Sequence, residues 1–139
     1  MRKISVLLFV TAGLIGCGSP GISGKWNMTG ASVPEGSKLV TEFAGSTFTS
    51  RAEINQGGAL IKFEFSGDYT YDGKKLKLVG KSVKVDESSF PAMAKPMIPQ
   101  FKTSLEKSVL EPQEGDAKLD GDTMMFTVKG QTTTFTRVK

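Results

Sequence analysis

The sequence contains no histidine, and it has one cysteine, one tryptophan and two tyrosines. Without histidine the chain cannot form Ser-His or Cys-His catalytic pairs, and it lacks the most common transition-metal ligand. No Gly-x-Ser-x-Gly nucleophile motif occurs, and no pair of carboxylates is marked as buried or matched. We therefore expect a protein that is not an enzyme and that needs neither a metal nor a cofactor. A single cysteine also excludes an internal disulfide, so the core must stabilise the fold.

Neither sign of charge dominates the sequence, since 18 basic and 14 acidic residues give a net charge of only +4. Arg2 and Lys3 belong to the leader described below, and without them 16 basic residues face 14 acidic ones. Such a small excess does not favour nucleic acid as a partner. Three aspartates, Asp116, Asp120 and Asp122, lie near one turn, but their spacing does not match a calcium-binding loop. Asp120-Gly121-Asp122 is more typical of a hairpin turn.

The only long apolar run lies at the start of the chain. Arg2 and Lys3 precede an apolar stretch from Ile4 to Ile15. This run is too short for a transmembrane helix, which needs about 20 residues. A basic start followed by a short apolar run is typical of a signal peptide, which we place at residues 1–16.

Leu14-Ile15-Gly16-Cys17, at the end of that run, resembles the bacterial lipobox. The resemblance implies cleavage between Gly16 and Cys17, attachment of diacylglycerol to the Cys17 thiol and acylation of the new amine, for example with palmitate. Each buried methylene contributes about 0.8 kcal/mol, so two or three acyl chains form a stable membrane anchor. The alternative is an ordinary secretory leader with an incidental cysteine.

Residues 17–23 are interpreted as the lipidated N-terminus and a short tether. The residue after the lipobox cysteine is Gly18, whereas an aspartate at that position commonly marks retention in the inner membrane of proteobacteria. The resemblance therefore implies the bacterial cell envelope, with the outer membrane facing the periplasm favoured in a Gram-negative cell.

Residues 24–139 show the pattern of one all-β domain, with short strands separated by Gly, Asp and Asn. The longest alternation places Ile61, Phe63, Phe65, Gly67, Tyr69 and Tyr71 on one face. Val83 and Val85 have the opposite parity to Leu76 and Leu78, which predicts a bulge near Gly80.

A helical period interrupts the strands at about residues 97–111. Ile98, Phe101, Leu105 and Val109 share one helix face, with Pro99 in the first turn and Pro112 after the end. About eight strands and one inserted α-helix, after the fifth strand, predict a small antiparallel barrel.

Gly24-Lys25-Trp26 in the first strand and Arg137 in the last resemble the lipocalin-like, or calycin-type, barrels. The resemblance implies that Trp26 plugs the closed end of the barrel and that Arg137 packs across its ring. Classical lipocalins carry their helix after the eighth strand, so the geometry of their ligand mouth does not transfer to this chain.

The inward-facing residues are rich in aromatic rings and are the candidate ligand lining. They are Phe48, Phe63, Phe65, Tyr69, Tyr71, Met124, Phe126 and Phe135. An eight-stranded interior can be filled by its own side chains or can hold one small ligand. A ligand among these rings would be apolar or amphipathic, with the tyrosine hydroxyls in a position to orient a polar head.

Two functions remain open for a monomer that is anchored to membrane lipid. The leading hypothesis is a noncatalytic binding module for a small apolar or amphipathic ligand. The alternative is an interaction protein with a filled barrel, which binds an envelope protein through the methionine-bearing segment from Phe90 to Met97.

Overall fold

The computed structural model describes residues 21–30, 33–56 and 58–139. The predicted signal peptide, the cleavage site at Gly16 and Cys17, and the first tether residues lie outside the described residues. The account that follows concerns the predicted barrel domain and the three residues before it.

Eight antiparallel strands form a closed barrel in which each strand pairs with its neighbours in the sequence and β8 pairs with β1. The strands are β1 (Gly24–Thr29), β2 (Lys38–Ala44), β3 (Thr47–Gln56), β4 (Ala59–Tyr71), β5 (Lys75–Val85), β6 (Gln113–Asp120), β7 (Thr123–Val128) and β8 (Gln131–Arg137). The prediction of a mainly β barrel is confirmed. Closure removes the exposed sheet edges on which other chains could pair.

Alternation of side chains places one face of each strand inside the barrel. In β3, Phe48, Ser50 and Ala52 are buried, Thr47 and Arg51 are exposed, and Thr49 is half-buried. This period of two is the strand geometry itself, since successive side chains point to opposite faces.

A bulge lies where the parity of β5 changes, as the sequence predicts. Ser66 pairs with Ser82 while Gly67 pairs with Gly80, so Lys81 is the extra residue on β5. The bulge returns Val83 and Val85 to the face that Leu76 and Leu78 occupy. Only glycine fits at position 67, because a Cβ there would lie 1.9 Å from the carbonyl oxygen of Val79.

One α-helix, α1 (Ile98–Leu110), connects β5 to β6 at the predicted position. β5 pairs with β6 only from Lys75 to Leu78, and α1 packs against the remainder of β5. A Cβ on Gly80 would lie 2.1 Å from the carbonyl oxygen of Val109, so the helix backbone approaches the strand closely. None of the helices in the described ranges combines the length and the apolar character that crossing a bilayer requires.

The two ends of the barrel differ. The Trp26 end carries both termini of the domain and the turns after β2, β4 and β6, and a cluster of buried side chains that includes Trp26, Phe43, Leu76 and Met124 fills it. The open end carries the other connections. A second cluster of Ile61, Phe90 and Ile98 packs there under the start of α1.

Candidate functional site

Trp26 closes one end of the barrel. Its side chain is fully buried, and the guanidinium carbon of Arg137 lies 4.2 Å from the centroid of its ring. The two residues are directly opposite each other in the β1–β8 register. This is the cation-over-ring arrangement that the lipocalin resemblance implies.

The segment before β1 is fastened to this closed end. Trp26 Nε1 donates to the carbonyl oxygen of Ile22 at 2.8 Å, and Arg137 Nη1 donates to that of Ser23 at 2.7 Å. Ile22 itself is buried in the same cluster as Trp26. The chain therefore enters the barrel domain from the Trp26 end.

A cavity of about 600 Å³ occupies the interior between this closed end and the open end. Five of the eight predicted lining residues contribute to its wall, namely Phe48, Phe63, Phe65, Phe126 and Phe135. The other three do not line it: Met124 belongs to the buried cluster that includes Trp26, and Tyr69 and Tyr71 pack against that cluster. The interior is thus packed in one half and hollow in the other.

The two tyrosines do not take the position that head-group recognition requires. The Tyr71 hydroxyl lies 3.1 Å from the carbonyl oxygen of Gly73 and 3.4 Å from that of Ala117. Burial, together with the charge of Asp72, raises the pKa of this hydroxyl. The Tyr69 ring packs edge-on against Phe43, with 4.9 Å between centroids. β4 runs the height of the barrel, so residues that share a face lie at different depths.

Two hydroxyl side chains that line the cavity are not among the predicted lining residues. Thr41 Oγ1 and Ser50 Oγ are 2.7 Å apart, and both residues are 2% exposed. Both line the cavity. The sequence does hold a signal for them, because each lies between two apolar residues of the inward parity, Thr41 between Leu39 and Phe43.

The helix supplies part of the cavity wall, which strand alternation alone does not predict. Leu105, Ser108 and Val109 of α1 line the cavity, and so does the connection to β6. At the rim, Lys129 Nζ lies 4.0 Å from Glu111 Oε1, and both side chains are largely exposed. The mouth is therefore polar, whereas most of the wall is apolar.

The segment from Phe90 to Met97 lies at the open end, and its residues have two different environments. Phe90 is buried, with its ring edge-on to Phe101 at a centroid distance of 5.4 Å. Met93 and Met97, in the 3₁₀ turn Ala92–Met97, are 93% and 62% exposed. Phe90 anchors the segment, and its methionines face solvent.

Two of the three aspartates near the β6–β7 turn form ion pairs, Asp116 with Lys75 and Asp122 with Arg137 and Lys139. Asp122 Oδ1 lies 3.5 Å from Arg137 Nε, and its Oδ2 lies 3.4 Å from Lys139 Nζ. Within the described part of the chain, no three Cys, Asp or Glu side chains are grouped so that they could hold a metal ion.

No protein-family model matches this chain, and no curated protein matches its sequence.

Proposed function

We propose that this chain is a membrane-anchored lipoprotein of the bacterial envelope whose lipocalin-like barrel binds a small apolar or amphipathic molecule without transforming it. The observation that carries the proposal is the cavity of about 600 Å³. Pockets for small ligands measure about 300–1,000 Å³ and combine apolar walls with a few polar groups. This cavity has both properties.

A ligand would also complete the packing of the barrel. Inward-facing side chains such as Phe63, Phe65 and Leu78 line the cavity and are only partly buried. Atoms that face a void lack dispersion partners on that side. An apolar molecule in the cavity supplies those contacts, and it would leave its polar end near the Lys129 and Glu111 rim.

The proposed anchor gives the barrel a direction relative to the membrane. Gly21 to Ser23 are held at the Trp26 end, so only the three residues 18–20 lie between the fastened segment and the lipidated Cys17. The four residue steps from Cys17 to Gly21 span at most about 14 Å. The Trp26 end would therefore lie near the bilayer, and the mouth of the cavity would open away from it.

Binding is tested by titrating N-phenyl-1-naphthylamine, a neutral apolar fluorophore, into the mature chain. Leu39 lines the cavity, while Val40, the next residue of β2, does not. Leu39→Trp should weaken binding of the fluorophore at least tenfold by filling the cavity. Val40→Trp, the matched control on the opposite face, should leave binding unchanged. If the unsubstituted chain binds neither this fluorophore nor any long-chain amphipath, the proposal is wrong.

The anchor is tested separately with Cys17→Ser in the producing cell. We expect the variant to leave the membrane fraction and to lose incorporation of labelled fatty acid. Unchanged membrane retention together with unchanged labelling would contradict the proposed lipidation.

Exposure of Met93 and Met97 favours a second candidate function, docking of an envelope protein at the open end. Methionine side chains make adaptable contact surfaces. A photo-crosslinking residue at position 93 should give one discrete adduct in cells, whereas the same residue at the exposed position Lys118 on β6 should not. Identical adduct patterns at the two positions would remove this candidate.

A further inference from the structure

We infer that Thr41 and Ser50 form a hydrogen-bonding site for a neutral acceptor oxygen, such as a ketone, ester or ether oxygen, on an otherwise apolar ligand. This inference rests on the proposed function and specifies the chemistry of the ligand. The two residues are directly opposite each other on β2 and β3, and their hydroxyl oxygens are 2.7 Å apart.

The pair carries two hydroxyl hydrogens, which is one more than its own hydrogen bond uses. Each hydroxyl has one hydrogen to donate and two lone pairs to accept with. The bond between Thr41 and Ser50 uses one hydrogen, and the geometry allows either oxygen to be its donor. The second hydroxyl hydrogen can therefore be donated to an acceptor in the cavity that both residues line.

An apolar pair of similar shape could replace Thr41 and Ser50 in the wall. Replacing both partners of a buried hydrogen bond with apolar groups of the same shape is close to neutral for stability. The neighbours on the inward face, Phe43, Phe48 and Ala52, are all apolar and buried. Valine at 41 and alanine at 50 would continue that surface, so the hydroxyls point to recognition.

The charged side chains that line the cavity lie at its rim. Among the described residues they are Glu111 and Lys129. An ionised carboxylate at the hydroxyl pair would have no cation beside it, and burial of an unpaired charge is very costly. A neutral acceptor fits the pair, whereas a charged group on the same ligand fits the rim.

Register places the pair at the inner end of the cavity. Thr41 is opposite Trp26 in the β1–β2 pairing, and Ser50 is opposite Phe65 in the β3–β4 pairing. Phe65 also lines the cavity, while Trp26 belongs to the filled half. The acceptor oxygen of the ligand therefore lies at its inner end, the apolar body extends toward the mouth, and any charged group lies at the rim.

The experiment compares three probes of equal chain length, undecane, 2-undecanone and undecanoate, by displacement of N-phenyl-1-naphthylamine from the mature chain. We take the ratio of 2-undecanone affinity to undecane affinity as the ketone preference. We expect this ratio to be about five- to tenfold higher in the unsubstituted chain than in the double variant Thr41→Val with Ser50→Ala, which is the worth of one net hydrogen bond. Undecane binding itself should not weaken in the double variant.

A matched control exists on the outside of the barrel. Thr127 Oγ1 and Thr132 Oγ1 form a second hydroxyl pair at 2.8 Å, exposed to solvent. Thr127→Val with Thr132→Val should leave the ketone preference intact. If the interior double variant fails to fold, Ser50→Ala alone, which deletes a single oxygen, should reduce the preference.

The outcomes separate the inference from the proposed function. If the ketone preference is the same in the interior variant as in the unsubstituted chain, the hydroxyl site is wrong while ligand binding stands. Loss of undecanoate binding in the interior variant, with unchanged binding of 2-undecanone, would likewise overturn the neutral acceptor, because the hydroxyl pair would then hold the carboxylate. Failure of the fluorophore and of all three probes to bind would defeat the proposed function itself.

Discussion

At the scale of single residues, Arg137 connects the two chain ends of the barrel domain. Its guanidinium stacks on Trp26 and donates to the carbonyl oxygen of Ser23, and its Nε faces Asp122. A planar guanidinium can make all of these contacts at once, whereas the ammonium of lysine is a single point of charge. Removal of this side chain therefore uncovers the indole and releases the segment before β1.

Arg137→Lys should lower the free energy of unfolding by about 1–2 kcal/mol, because the stacked cation and the forked hydrogen bonds are lost together. Urea denaturation followed by far-ultraviolet circular dichroism measures the change. Lys25→Arg, a surface substitution on β1, is the control and should have little effect. Equal stability of Arg137→Lys and the unsubstituted chain would show that the stacking contributes nothing to closure.

Asp72 stabilises the β4–β5 turn through its charge. Its Oδ1 accepts from the backbone N–H groups of Lys75 at 2.7 Å and Lys74 at 2.8 Å, and these bonds lower the pKa of the carboxyl below its ordinary value of 3.8. Since the pKa is lower in the folded state than in the unfolded state, the stabilisation is complete above the unfolded value. It disappears as the pH falls through the folded value.

Asp72→Ala should therefore lower the urea midpoint at pH 6, and the difference from the unsubstituted chain should shrink at pH values below about 4. Denaturation series from pH 7 to pH 2 test this. A difference that is constant over the whole range would mean that the carboxylate charge has no role in the turn.

Residue parity predicts which side chains face inward, but not how deep in the barrel they lie. The inward alternation of Phe63, Phe65, Tyr69 and Tyr71 is read from the sequence, yet the phenylalanines line the cavity and the tyrosines pack around Trp26. Depth depends on register between strands, which is a long-range property of the closed barrel. The same limit applies to Thr41 and Ser50, whose place in the cavity wall is not predictable from residue types that are also common on outward faces.

At the scale of elements, α1 replaces strand pairing where β5 and β6 part after Leu78. The sequence predicts the helix from its apolar period, and the structure confirms it at Ile98–Leu110. Its role as a cavity wall is not predictable from that period, because it depends on the close approach of Val109 to Gly80. Because Gly80 of β5 has no side chain, α1 can lie close against that strand.

Gly80→Ala should move α1 away from β5, since the new Cβ would lie 2.5 Å from Cγ1 of Val109 as well as against its carbonyl oxygen. We expect a loss of about 1–3 kcal/mol of stability, typical of overpacking, and altered affinity for the apolar fluorophore. Gly21→Ala is the control, because its Cβ would meet no atom closer than 3.9 Å. A Gly80→Ala variant with unchanged stability and unchanged fluorophore affinity would contradict this close approach.

At the scale of the whole molecule, the barrel has a packed end that receives the chain and a hollow end that faces the opposite way. The lipobox resemblance predicts an anchor near residue 17, but it does not say which end of the barrel lies next to the membrane. If Cys17 is the anchor, the contacts of Arg137 with Gly21 and Ser23 would bring the Trp26 end next to the membrane. Under the proposed function, ligand exchange then takes place on the aqueous side.

Fluorescence energy transfer to an acceptor lipid tests this orientation in reconstituted vesicles. Lipidation occupies the Cys17 thiol under the proposed function, so an introduced cysteine is the unique labelling site. A donor at Ser46→Cys, in the β2–β3 turn of the Trp26 end, should transfer more energy than one at Glu35→Cys, in the β1–β2 connection at the open end. Equal transfer, or stronger transfer from position 35, would contradict the orientation.

The burial of Trp26 has a practical consequence for spectroscopy. It is the only indole in the chain, it is fully buried beneath a cation, and it does not line the cavity. Its intrinsic emission should shift to longer wavelength when the barrel unfolds and should stay nearly constant when a ligand that does not absorb enters the cavity. Folding and occupancy of this protein can then be followed independently in one sample.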